Sequence, residues 1–104
     1  MNHFTDRQGY NGIRATAVWC FRASQPPGDH LFGAYFTTLS PQTPNLALRL
    51  RIPHDKISHM FSFTDIGDLI ALRGGRGRFV FYSPRDYEVG PDRQLHLGER
   101  EKAP

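Results

Sequence analysis

The sequence has one cysteine, one tryptophan and no long apolar run among its 104 residues. A single thiol cannot form an internal disulfide, which excludes the disulfide-stapled scaffolds of small secreted domains. No apolar stretch approaches the roughly 20 residues that a membrane-spanning helix needs. The N-terminal residues Met1–Asp6 also lack the charged-then-apolar order of a signal peptide. These absences predict a cytoplasmic protein without membrane association.

Sequence motifs for metal binding and for hydrolysis are missing as well. The chain has neither a Gly-x-Ser-x-Gly elbow nor a Walker-type phosphate loop. Its histidines match no zinc-ligand spacing, and only one cysteine could join them. The sequence therefore predicts no metal cofactor. The five histidines are His3, His30, His54, His59 and His96.

The charge is mildly basic, with 13 cationic against 10 acidic residues and a net charge of +3. Eleven of the 13 cationic residues are arginine, which favours bidentate contacts with phosphate or carboxylate. This composition indicates an anionic partner such as a nucleotide or a nucleic acid. A net charge of +3 is, however, also ordinary for a soluble surface.

The length and the aromatic content are those of one small domain. With 38% hydrophobic and 12% aromatic residues, the chain can build one core but not two. We expect a single domain over residues 1–97, followed by a polar, frayed C-terminal tail over residues 98–104. Cys20, in the apolar run Val18–Phe21, is expected to be a buried strand residue rather than a reactive thiol.

Turn and strand signals divide the chain into two short helices and about six strands. One helix begins after an N-cap at Thr5 or Asp6 and runs to about Ala15. The other begins at Thr43-Pro44 and ends near Leu50. Residues rich in strand formers occupy the remaining elements. The pattern predicts an α+β fold with one or two packed antiparallel sheets. Seven segments are candidates for these strands, and an eighth, Asp68–Leu72, is ambiguous. The seven are His3–Phe4, Thr16–Phe21, Ala34–Leu39, Ser58–Thr64, Arg78–Tyr82, Tyr87–Val89 and Gln94–Leu97.

The most basic local cluster is the segment Arg73–Arg78, which alternates arginine with glycine. Its backbone N–H groups and three arginines could hold a phosphate or an RNA strand. Alternatively, the segment is a basic hairpin turn whose glycines supply positive φ angles. The sequence favours the hairpin turn.

Two segments together resemble a known enzyme family. The first is His3-Phe4-Thr5-Asp6, followed by Gly9-Tyr10-Asn11-Gly12-Ile13, and the second is Gly33-Ala34-Tyr35-Phe36-Thr37-Thr38-Leu39. A histidine on an N-terminal strand, a Gly-Ile helix and a Gly-x-Tyr-Phe-Thr strand resemble the diphtheria-toxin-like ADP-ribosyltransferases. Within that group, the chain is most similar to the small family named for a His-Tyr-Asp signature. The resemblance runs from Met1 to about Val89.

The resemblance implies a compact ADP-ribosyltransferase-like fold of split antiparallel sheets, with NAD held across the cleft as a substrate. His3 then bonds a hydroxyl of the nicotinamide ribose, Thr5 helps to hold that ribose, and Tyr35 lies against the nicotinamide ring. Phe4 and Gly12 complete the implied NAD-binding residues. Cleavage of the nicotinamide–ribose bond creates positive charge on the sugar, so the enzyme also needs an acid near C1′.

The position of that acid is open. In the wider group it lies near the start of a late strand, just before a Tyr-containing apolar run, but here Arg78 precedes Phe79–Tyr82. Asp86 is the favoured alternative and would complete a catalytic set with His3 and Tyr35. Asp65 and Asp68 are the other two.

Two function classes follow from these residues. The first is an NAD-dependent mono-ADP-ribosyltransferase, or an NAD glycohydrolase, whose acceptor is a protein, a nucleic acid, a small molecule or water; many members of the family are toxin tips. The second is a module that binds NAD, ADP-ribose or RNA without turnover, using Arg73–Arg78. Leu46 stands where related enzymes often carry a second nicotinamide-stacking aromatic, and this departure leaves a weakened or lost activity open.

Overall fold

The computed structural model describes residues 1–26, 31–72 and 79–104, which form an α+β fold of two antiparallel sheets and two helices. Short 3-10 turns cover His54–Ile57, Pro91–Arg93 and Arg100–Lys102. The helices are α1 (Arg7–Arg14) and α2 (Leu46–Leu50). The strands are β1 (Asn2–Thr5), β2 (Trp19–Phe21), β3 (Ala34–Thr37), β4 (His59–Phe63), β5 (Ile70–Ala71), β6 (Val80–Ser83), β7 (Tyr87–Val89) and β8 (Gln94–Glu99).

The larger sheet has the strand order β5-β6-β3-β1-β4-β8, and the smaller sheet pairs β2 with β7. In the larger sheet Asn2 lies opposite Thr37, and His3 lies opposite Phe61. Because successive side chains of a strand point to opposite sides, this register gives the sheet two distinct faces. The His3 face carries His3, Thr5, Phe36, His59, Phe61 and Phe63. The Tyr35 face carries Asn2, Phe4, Tyr35, Met60 and Tyr82.

The main core lies on the His3 face, where the β2–β7 sheet packs against the larger one. Trp19 and Phe21 of β2 meet Phe36, Phe61 and Phe63 in a group of ring contacts, most of them edge-on or tilted. All five rings are almost completely buried. Helix α1 covers the same face, since the Tyr10 ring packs against His59 and Phe61. Phe36, the neighbour of Tyr35 in β3, belongs to this core.

A smaller core lies on the Tyr35 face beneath α2. Phe4 and Met60 pack there with Leu46 and with Ile57 of the following 3-10 turn, and all four side chains are buried. Helix α2 is two residues shorter at its start than Pro44 suggests. It begins at Leu46, after Asn45 in a left-handed conformation (φ 57°). Leu46 is thus a core residue of this cluster.

The C-terminal residues differ from the expected frayed tail. Strand β8 continues through Glu99, two residues beyond the predicted domain boundary at 97. Arg100 then bonds the backbone carbonyls of Ile57 and Pro41, and Ala103 packs against the core under α2. The hydrogen bonds of Arg100 and the apolar contact of Ala103 therefore hold this polar segment against the rest of the domain.

Three further expectations each concern a single residue or a short segment. Cys20 lies in β2 as predicted but is only partly buried, because strand alternation turns Trp19 and Phe21 into the core. The basic segment Arg73–Arg78 lies outside the described residues. The ambiguous segment Asp68–Leu72 contributes the two-residue strand β5.

Candidate functional site

The candidate site lies where the pairing of β1 with β3 stops. The register joins these neighbours only at Asn2–Thr37, although β1 continues to Thr5 and β3 begins at Ala34. Met1 exchanges both backbone hydrogen bonds with Phe63 of β4. In an antiparallel ladder, successive residues direct their backbone N–H and C=O groups to alternate neighbouring strands. Because Met1 bonds β4, the N–H and C=O groups of Phe4 point toward β3, although Phe4 has no partner in the β1–β3 register.

His3 stands beside this point, between the two sheets. Its ring lies 4.7 Å from the Phe21 ring and 5.6 Å from the Phe36 ring, centroid to centroid. Its Nδ1 is 2.9 Å from the backbone carbonyl oxygen of Tyr35. A carbonyl oxygen only accepts, so Nδ1 carries the hydrogen. Burial lowers the pKa of His3 below its ordinary value of 6.5, while the bond to Tyr35 opposes that shift. At neutral pH the ring is therefore neutral, and Nε2 is its hydrogen-bond acceptor.

Tyr35 is adjacent to His3 along the backbone but projects from the other face of the sheet. Its ring stacks on Tyr82 at a centroid distance of 5.8 Å, and its hydroxyl donates to the carbonyl oxygen of Leu31. Burial raises the pKa of the Tyr35 hydroxyl. The two side chains thus flank the end of the β1–β3 pairing from opposite sides and do not line one face together.

Thr5 and the glycines of α1 form the next part of the site. Thr5 shares the His3 face and lies opposite His59. A Cβ built on Gly9 would stand 2.1 Å from Thr5 Oγ1, so α1 approaches β1 closely only because Gly9 has no side chain. Asp6 begins the helix by accepting a hydrogen bond from the Gly9 amide at 2.8 Å. Gly12 is exposed, and no atom lies within 4 Å of the position that a Cβ would take there.

Asp86 precedes β7 at the end of the smaller sheet nearest to His3. The following residue, Tyr87, pairs with Phe21, which is the residue whose ring contacts His3. Asp86 Oδ1 accepts a hydrogen bond from the Ala23 amide at 2.8 Å. The carboxylate is exposed and one of its oxygens joins the β6–β7 connection to the chain after β2.

The two other candidate acids are held by their own neighbours. Asp65 Oδ1 accepts from the Gly67 amide at 2.9 Å in a local turn. Asp68 Oδ1 accepts from the Tyr87 hydroxyl at 2.6 Å, and that hydroxyl also accepts a bond of 2.7 Å from Arg93. Asp68 thus belongs to a bridge that closes over the main core, on the side of Tyr87.

The sequence reasoning missed one feature, a surface pocket of about 320 Å³ between α1 and the ends of β4 and β8. Three of its helical residues are polar and follow the i, i+4, i+7 spacing of one helix face, a pattern that could have revealed it. We call it the α1 pocket. It is lined by Arg7, Tyr10, Asn11, Arg14, His59 and Glu99.

Comparison with known proteins adds no relative, since no family model, curated protein or solved structure matches the chain. None of the described helices is long and apolar enough to cross a membrane. Within residues 1–26, 31–72 and 79–104, no group of three or more His, Cys, Asp or Glu side chains is placed to hold a metal ion.

Proposed function

We propose that the protein is an NAD-dependent mono-ADP-ribosyltransferase, which binds NAD at the end of the β1–β3 pairing and breaks the nicotinamide–ribose bond. The observation that carries the proposal is His3. It is a neutral imidazole held through Nδ1, beside Thr5 on the same face, at the point where a central pair of strands separates. This geometry supports the roles that the resemblance to the His-Tyr-Asp family implies.

Each group has a task that follows from its chemistry. The Nε2 acceptor of His3 suits a hydroxyl donor such as that of the ribose. The Phe4 backbone, directed toward β3, offers one donor and one acceptor, which is the complement of a carboxamide. The Tyr35 ring, which stacks on Tyr82 on the opposite face, is the aromatic group that the resemblance assigns to the nicotinamide. Gly12 leaves open space on α1.

The reaction needs little from the protein beyond orientation and charge. The C1′–N1 bond breaks with its electron pair going to the pyridinium, so nicotinamide leaves as a neutral molecule. The acceptor atom then bonds C1′ and releases its proton to solvent. A carboxylate near C1′ stabilises the positive sugar, and Asp86 serves this role in the proposal because it lies at the sheet end beside the Phe21–Tyr87 pair.

Nicotinamide release from NAD by the purified protein tests the proposal. We expect turnover that falls by about 10²-fold or more in His3→Gln, a loss typical of a group that acts on the transition state. Asp86→Asn keeps an oxygen for the Ala23 amide and removes only the charge, so it separates the catalytic role from the structural one. If Asp86→Asn leaves turnover intact, Asp65→Asn and Asp68→Asn test the two other candidate acids. Turnover that is unchanged in His3→Gln would refute the assignment.

A non-catalytic module is the second candidate, and the bonding of the acids favours it. Asp86, Asp65 and Asp68 all accept hydrogen bonds from neighbouring protein groups. Saturable binding of NAD or ADP-ribose without nicotinamide release, lost in His3→Gln, would identify this module and exclude the transferase. RNA binding through Arg73–Arg78 would instead show a steep loss of affinity with salt.

A further inference from the structure

The α1 pocket is lined by several hydrogen-bond donors from helix α1. Arg7 and Arg14 stand two helical turns apart, roughly 10 Å along the helix axis, and Asn11 lies between them on the same face. The Arg7 guanidinium forms no hydrogen bond or ion pair within the described part of the chain, and the Arg14 guanidinium uses only Nε, which donates to Asn11 at 3.2 Å. Most of the guanidinium donors are therefore available to a ligand.

The aromatic side of the pocket fixes the position of these donors. Arg14 lies 5.1 Å above the centroid of the Tyr10 ring, and that ring packs on His59 at 4.6 Å. His59 is buried and bonded through Nδ1 to the Ser58 hydroxyl at 2.9 Å. A planar cation over a ring that rests on a buried imidazole loses little further freedom when it binds an anion.

Glu99 is the acidic member of the pocket, and its charge is partly compensated. Its carboxylate pairs with Lys102 at 2.9 Å, and Lys102, His59 and Arg7 hold the pKa of Glu99 below its ordinary value. The remaining charge of the pocket is positive. Glu99 therefore opposes an anionic ligand without cancelling the two arginines.

We infer that the α1 pocket binds a phosphate group between Arg7 and Arg14. Phosphate offers several acceptor oxygens and two negative charges, which match two arginine forks and an amide donor. The volume of about 320 Å³ lies at the small end of the range for ligand pockets. The pocket contains none of His3, Phe4, Thr5, Gly12 and Tyr35, so this inference does not depend on the proposed NAD site.

Titration with inorganic phosphate at low ionic strength, followed by amide NMR shifts of the whole chain, tests the inference. We expect saturable shifts in α1 and near His59. Arg7→Gln and Arg14→Gln should each weaken binding about tenfold, the effect of losing one charge-assisted hydrogen bond. Glu99→Gln should tighten it several-fold, because it removes the repulsion. Arg51→Gln, which removes one charge from the C-terminal end of α2 on the Tyr35 face, should leave it unchanged.

Three results would overturn the inference. These are the absence of saturable shifts in α1, equal weakening by Arg51→Gln, and weaker binding in Glu99→Gln. A second arm identifies the source of the phosphate by repeating the titration with ADP-ribose. If ADP-ribose shifts α1 and the region of His3 together, the phosphate is that of the dinucleotide. If ADP-ribose shifts α1 alone, the α1 pocket binds a phosphate group independently of the proposed NAD site.

Discussion

The two glycines of α1 should respond to alanine in opposite directions. In a helix interior, glycine is about 0.5–1 kcal/mol less favourable than alanine. A Cβ on Gly12 meets nothing within 4 Å, so Gly12→Ala should raise the free energy of unfolding by that full amount. A Cβ on Gly9 meets Thr5 Oγ1 at 2.1 Å, which forces Thr5 to rotate or α1 to move.

The size of the Gly9 effect follows from that contact. Overpacking costs about 1–3 kcal/mol and exceeds the gain in helix propensity, so Gly9→Ala should destabilise the protein by roughly 0.5–2 kcal/mol. The next atoms, at 3.3 and 3.4 Å, require only small shifts. In a Thr5→Ala background the clash disappears, and Gly9→Ala should then stabilise by about 0.5–1 kcal/mol. The coupling between the two positions should therefore be about 1–3 kcal/mol.

Urea unfolding measures all four variants with a built-in probe. The single tryptophan, Trp19, is buried in the main core beneath α1, so its fluorescence should report the global transition. Additive effects of Gly9→Ala and Thr5→Ala would show that α1 does not approach β1 this closely. A destabilised Gly12→Ala would refute the open space around Gly12. Retained stability with weakened NAD binding in Gly12→Ala would instead place a ligand against that exposed position.

The remaining predictions concern titration and helix capping. Burial lowers the pKa of His3, so as the pH falls the unfolded chain binds a proton at this ring before the folded protein does. The contribution of the neutral His3 ring to the free energy of unfolding should therefore be complete above about pH 6.5 and fall as the pH drops below it. His3→Gln should flatten that slope in chemical unfolding curves, and an unchanged slope would contradict the buried neutral ring. Asp6→Ala should cost about 1 kcal/mol through loss of the cap on the Gly9 amide. Lys56→Met, which removes only the exposed 2.6 Å pair with Asp6, should cost less than about 0.5 kcal/mol; equal losses would show that the ion pair dominates.

Much of the architecture could be predicted from local patterns. The N-cap of α1 at Asp6, strand β7 over Tyr87–Val89 and the core position of Phe36 all follow from short-range signals, namely side-chain capping, β-propensity and alternation. The docking of the C-terminal segment could not be predicted, because its anchors are long-range. Arg100 bonds Ile57 and Pro41, which lie about 40 to 60 residues away in the chain.

The candidate site likewise has one part that local sequence patterns predict and another part that depends on long-range strand pairing. Thr5 lies two residues after His3 in the same strand, so simple alternation places it on the same face, and the register agrees. That Tyr35 projects from the opposite face depends on the pairing of Asn2 with Thr37, and a shift of one residue would have reversed it. The role of Asp86 as an acceptor for Ala23 likewise depends on the pairing of β2 with β7. Nothing in the residues around Asp86 specifies that pairing.

Strand β1 can separate from β3 without a loss of fold because β1 is hydrogen-bonded to β4 along its other edge. All four residues of β1 pair with β4, and Met1 adds two bonds to Phe63. Beyond the last paired residues, Asn2 and Thr37, His3 Nδ1 donates to the Tyr35 carbonyl oxygen, so a side chain of β1 also bonds β3. The same contact directs Nε2 away from β3 and sets the tautomer of the ring. One hydrogen bond thus serves both the stability of a broken ladder and the orientation of the residue on which the proposed chemistry depends.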